Sequence, residues 1–96
     1  MKYRLLPVAQ RDMREIDDWV LQEFGPRFAD RTERRLHETF DLLAKYPSMG
    51  IVRQGARRPV RFFHLQPYWI VYQLGEPILI HRIYHAARDL NRLNLK

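Results

Sequence analysis

The pair Gly25-Pro26 separates two long stretches whose apolar residues recur at helical spacing. In the first, about Val8 to Phe24, Ala9, Met13, Ile16, Val20 and Phe24 step by four, three, four and four, with Trp19 alongside. Such a stripe predicts a helix with one buried face. Pro7 suits its first turn, where a missing N–H costs nothing. Leu6 before it is a poor N-cap. A glycine followed by proline ends the helix. The second stretch, about Arg27 to Lys45, places Phe28, Thr32, Leu36, Phe40 and Leu43 on its inner face before Pro47 stops it. Arg31, Glu33, Arg34, Arg35, Glu38 and Asp41 fall elsewhere, as a solvated mixed-charge surface. So short a link makes the two helices an antiparallel hairpin.

A hairpin with one apolar face per helix must lie on something apolar. Residues 2–6 read as a short strand, with Tyr3 and Leu5 alternating with charged neighbours. Pro47 to Gly50 is a turn, and residues 51–58 read as an exposed arginine-rich connection. Three strands are predicted after it: Val60 to Leu65, Tyr68 to Leu74, and Ile78 to Tyr84 or His85. Gln66-Pro67 and Gly75-Glu76-Pro77 connect them, and short connections favour an antiparallel meander. Leu90 and Leu93 predict a short final helix in the tail. The expected fold is therefore α+β: a two-layer domain over residues 1–96, β-α-α-β-β-β, with the helical hairpin packed on a small, mainly antiparallel sheet of four strands and a short C-terminal helix.

Ninety-six residues suit one hydrophobic core. Without cysteine there are no disulfides, thiolate zinc sites or cysteine catalysis. The apolar runs fall far short of the roughly 20 residues that cross a bilayer, and the start has no signal-like stretch, so a cytoplasmic protein and no membrane partner are expected. The net charge of +6 is unevenly placed. Residues 1–50 hold nine Lys/Arg and nine Asp/Glu, whereas residues 51–96 hold eight against Glu76 and Asp89 alone. Most of the cations are arginine, which suits bidentate contact with phosphate or carboxylate. An anionic partner follows: nucleic acid, a nucleoprotein or an acidic protein segment. Aromatics are expected on both faces of the sheet, of which the helices cover one; Trp69 and Phe62 or Phe63 are candidates for the uncovered face. Exposed apolar area rimmed by arginine suits an acidic, partly disordered polypeptide that folds on contact.

Several segments, in order, resemble one family. They are Leu6-Pro7-x-Ala9 opening the first helix, Pro47-x-x-Gly50 after the second, Arg57-Arg58 leading into the meander, Tyr68-x-Ile70-x-Tyr72 in its middle strand, and Arg82-Ile83-Tyr84-His85-Ala86-Ala87-Arg88-Asp89-Leu90 at its end. Together they are similar to the ParE branch of the RelE/ParE toxins of type II toxin–antitoxin systems. Leu6 replaces the usual Ser or Thr before the proline, and Ala86 replaces the usual glycine after the histidine, so position 86 does not demand a positive φ. The resemblance implies a toxin neutralised by a cognate acidic antitoxin, which alone contacts the operon's DNA, and implies DNA gyrase as the target. RelE-like members instead cleave messenger RNA on the ribosome.

Ribonuclease chemistry needs a proton acceptor, a proton donor and cations for the phosphorane charge. His64, His81, His85, Tyr84, Arg61, Arg82 and Arg88 are the candidates. For antitoxin or target binding the resemblance points to Arg57, Arg58, Arg61, Arg82, His85 and Arg88. Asp89 is expected to pair with Arg88 or Arg82, and His85 has a structural alternative as a cap on the tail. No metal or cofactor is expected. His81 and His85 would lie on one side of a strand, about 13 Å apart at ~3.3 Å per residue, too far to share an ion. HExxH and glycine-rich phosphate loops are missing.

Overall fold

The computed structural model describes residues 2–52 and 59–85. In chain order these form β1 (Tyr3–Leu5), α1 (Pro7–Phe24), α2 (Pro26–Lys45), a 3-10 turn (Pro47–Met49), β2 (Ile51–Val52), β3 (Val60–Leu65), β4 (Tyr68–Gln73) and β5 (Ile78–His85). The sheet runs β1-β5-β4-β3-β2. β1 lies parallel to β5 and every other pair is antiparallel. This is the expected two-layer α+β architecture with one strand more. Ile51 and Val52, read from sequence as connection, pair with Phe62 and Arg61. A two-residue edge strand with both side chains exposed carries no periodicity to detect. The rest of that arginine-rich connection and the tail's expected helix lie outside the described residues.

Both helices begin at a proline, one residue earlier than the apolar stripes suggest. Gly25 alone joins them. Its N–H reaches the Leu21 carbonyl at 3.0 Å, ending α1, while its own carbonyl accepts from the Ala29 N–H at 3.1 Å, starting α2. It does so at φ 93°, a conformation that costs glycine little and strains a side chain.

The core lies between hairpin and sheet. Ala9, Ile16 and Val20 enter it from α1, and Ala29, Leu36, Phe40 and Leu43 from α2. Tyr68, Ile70 and Tyr72 meet them from β4, and Ile78, Ile80 and Ile83 from β5. Two expected core residues are elsewhere: Phe24 is 57% exposed and Phe28 48%. In the first turn of α2 Ala29 faces inward in place of Phe28, while Leu36, Phe40 and Leu43 are buried as expected. The six charged residues assigned to the solvated surface are all exposed.

Two backbone features decide which side chains face where. Val71 pairs with Arg82 but Tyr72 with Ile80, so His81 is an extra residue, a β-bulge. The alternation of β5 flips there. Before the bulge Ile78 and Ile80 point into the core; after it Ile83 does. At the far edge, the buried Tyr72 hydroxyl donates to the Pro47 carbonyl at 2.6 Å and accepts from the Gly50 N–H at 2.9 Å. Arg61 donates to the Gly50 carbonyl at 2.8 Å. A Cβ on Gly50 would meet that hydroxyl at 2.6 Å, so glycine is required by space.

Candidate functional site

Burial and charge leave two surfaces with the character of binding sites. One is a cleft at the closed end of the hairpin, beside the Gly25 link. Trp19 and Phe24 from α1, Phe28 and Arg35 from α2, Tyr68 from β4 and His85 from β5 line about 240 Å³ of space. The rings brace one another. Trp19 meets Phe24 edge-on at 5.7 Å and His85 at 5.1 Å; His85 meets Tyr68 at 5.4 Å, and Phe24 meets Phe28 at 5.2 Å. The Arg31 guanidinium lies 5.6 Å above the Phe28 ring. Burial raises the pKa of the Tyr68 hydroxyl above the ordinary tyrosine value, and the nearby Arg35 charge pulls it partly back. An aromatic recess with arginine at its mouth has the makeup of a pocket for an apolar anchor on an acidic segment.

The second surface is the sheet face turned away from the helices. Strand register arranges it in rows: His64, Trp69 and Tyr84 lie side by side, and Phe62, Val71 and Arg82 form the next row. His64 stacks on Trp69 with centroids 4.6 Å apart and planes at 21°. The Arg82 guanidinium lies 4.6 Å above the Tyr84 ring. Arg82 is also fixed from the helix layer. Its Nε donates to Asp12 Oδ2 at 2.8 Å and its Nη2 to Oδ1 at 3.2 Å. The same Asp12 Oδ2 accepts the Ile83 N–H at 2.9 Å. One nearly buried carboxylate therefore occupies the edge of β5 where β1 has ended, satisfying a backbone donor and clamping an arginine.

The residues singled out from sequence are dispersed. Arg57, Arg58, Arg88 and Asp89 lie outside the described residues. Arg61 faces the helix layer and holds Gly50. Arg82 pairs with Asp12. Tyr84 lies on the uncovered face, whereas His85, its neighbour in sequence, turns into the aromatic cleft. His81 bonds Gln73 through Nε2 at 2.9 Å. The sequence expectation that His81 and His85 share one side of the strand fails, because the bulge at His81 reverses the alternation between them. Among the described residues no group of three potential metal ligands gathers, and no helix is long and apolar enough to cross a membrane.

Sequence reasoning missed Asp12, although a signal was present. Ala9, Asp12, Ile16 and Val20 are spaced three, four and four, so an acid occupies the buried stripe itself. A carboxylate there demands a partner. The cleft was missed because Phe24 and Phe28 fit the helical period and were counted as core.

Comparison with known proteins agrees with this architecture. A family model described as "ParE toxin of type II toxin-antitoxin system, parDE" matches residues 3–90. A solved structure titled "Chromosomal ParDE TA system from P. aeruginosa" superposes with a TM-score of 0.74 at 24% identity, covering 88% of this chain and 95% of that one. At that identity the likeness concerns the fold. No curated protein sequence matches.

Proposed function

The chain belongs to the ParE toxin family of type II toxin–antitoxin systems, and from that premise we propose that it is a non-enzymatic toxin that inhibits DNA gyrase and is silenced by a cognate acidic antitoxin. The observation that carries the proposal is the dispersal, among the described residues, of the groups a ribonuclease would need. Acid–base cleavage requires donor, acceptor and cations to converge on one phosphate. Here Tyr84 and His85 face opposite sides of the sheet, Arg61 is engaged with Gly50, and Arg82 is clamped by Asp12. That arrangement supports binding over cleavage, and the likeness to ParE toxins favours gyrase as the object bound.

The antitoxin reading has its own support. Phe24 and Phe28 are large apolar side chains held in water at the mouth of a recess, beside Arg31 and Arg35. Such surface gains most when a partner covers it. In this proposal the antitoxin inserts an apolar anchor into the cleft and sets its carboxylates against the arginines. The cell's cytoplasm is where both partners would meet.

Purified protein added to gyrase and relaxed plasmid should block supercoiling and accumulate cleaved plasmid on denaturation. Unimpaired supercoiling with no cleaved plasmid would refute the gyrase assignment. The alternative, ribosome-dependent messenger RNA cleavage, predicts cuts at A-site codons by primer extension after induction.

A further inference from the structure

The closed end of the hairpin carries an apolar knob and an apolar hole on one surface. Leu21, Phe24 and Phe28 stand exposed there, and the recess walled by Trp19, Tyr68 and His85 opens beside them. A cavity of roughly 150 Å³ already holds a benzene ring, so the recess of about 240 Å³ has room for a phenyl side chain. Charge divides across the same surface. The last ten residues of α1, 15–24, hold four acids and no base, whereas the first ten of α2, 26–35, hold four arginines against Asp30 and Glu33. Glu23 occupies the last turn of α1 and Arg27 the first turn of α2. Each carries the sign that its own helix end disfavours. Among the described residues neither has an ion-pair partner.

We infer that a second copy of this chain covers this surface, related by a two-fold axis at the end of the hairpin. An isologous contact requires one patch to match itself. Under such an axis α1 of one copy runs against α2 of the other. Glu23 then meets Arg27 of the partner subunit, in both directions, and Phe24 of the partner subunit enters the recess. A polyacidic segment answers only the arginine half of the patch and leaves the acidic half without a partner, whereas a second copy answers both. The few exposed side chains make the contact small, at the low end of specific interfaces, so the pair is a transient one. It goes beyond the antitoxin reading. Antitoxin anchor and second copy compete for one recess, so the pair is a state of the free toxin.

The test is sedimentation velocity of the purified full chain alone, over concentrations from about 1 to 500 μM. The monomer gives way to a dimer as concentration rises. Phe24→Asp places a charge in the apolar contact and raises the dissociation constant of the pair at least roughly tenfold. Its circular dichroism stays that of the parent, because the Phe24 ring is exposed. Glu23→Arg and Arg27→Glu each weaken the pair when measured separately. Mixed in equal amounts they associate again, since each copy now faces the opposite charge; should Phe24→Asp lose the fold, this mixture decides. The inference is overturned by a monomer at every concentration, by a dimer that Phe24→Asp leaves intact, or by a mixture no more associated than its components. A monomer whose tryptophan emission responds to poly-L-glutamate also overturns it, giving the surface to an acidic segment. Neither gyrase nor antitoxin is present, so failure of the pair leaves the antitoxin reading standing.

Discussion

The two faces of this sheet are built from the same strands, residue by residue, and differ in makeup. Ile70 and Trp69 are neighbours in β4. Ile70 is fully buried under the helices, whereas Trp69 is half-buried on the other side beneath His64. The helix face is closed by aliphatic packing against Phe40, Leu36 and Leu43. The other face has rings, histidines and an arginine where a second layer would need aliphatic bulk. Period-two alternation guarantees only that two faces exist. Among the described residues the helices supply one hairpin, and it covers one face. The lesson is that packing one hairpin on a sheet differentiates its two faces even though the same strands build both.

Substitutions should separate the faces by magnitude. Ile70→Ala removes a fully buried side chain and should lower unfolding free energy by about 2–5 kcal/mol in a denaturant titration. If it costs no more than a surface change, the helix face is not what holds the molecule together. Next comes the edge, where the layers are stitched. Asp12→Ala leaves the Ile83 N–H and the Arg82 guanidinium without their carboxylate and should cost about 1–3 kcal/mol. Asp12→Asn, which keeps one acceptor oxygen, should lose less.

Tyr72→Phe comes third, at about 1 kcal/mol, because the hydroxyl joins Pro47 to Gly50. It also has a pH signature. Burial raises the Tyr72 pKa, with the Gly50 hydrogen bond and the Arg61 charge acting in the opposite direction. The folded state therefore keeps its proton at a pH where the unfolded chain has lost it. The stability this contributes is complete below the ordinary tyrosine value of 10.0 and disappears as pH climbs past it. Alkaline destabilisation should be shallower in Tyr72→Phe than in the parent. It should not vanish, since Tyr3 and Tyr68 are raised by burial too. Parallel pH curves for the two proteins would mean that Tyr72 is not the group responsible.

Much of the covered face was legible in the sequence, and much of the rest was not. The hairpin was written in Gly25-Pro26 and in stripes of apolar residues, and three strands in runs bounded by Pro67 and Gly75-Glu76-Pro77. These are local signals, set by side-chain period and backbone restriction. The parallel pairing of β1 with β5 joins Tyr3 to Ile78 across the whole chain, and no local pattern records such a contact. The bulge at His81 is a backbone event, invisible in a strand whose apolar residues, Ile78, Leu79 and Ile80 among them, fall on both sides. Because it was invisible, Tyr84, His85 and Arg82 could not be assigned to faces. Arg82 as a binding cation was a fair reading of composition. Its clamp by Asp12 needed the fold, since the two stand 70 residues apart in sequence.

The division between faces is tested most directly by two substitutions at adjacent positions, each read by denaturant titration. Ile70→Ala should lose about 2–5 kcal/mol of stability, whereas Trp69→Leu should unfold at nearly the parental denaturant concentration. Equal losses in the two variants would contradict a sheet that is held together through one face.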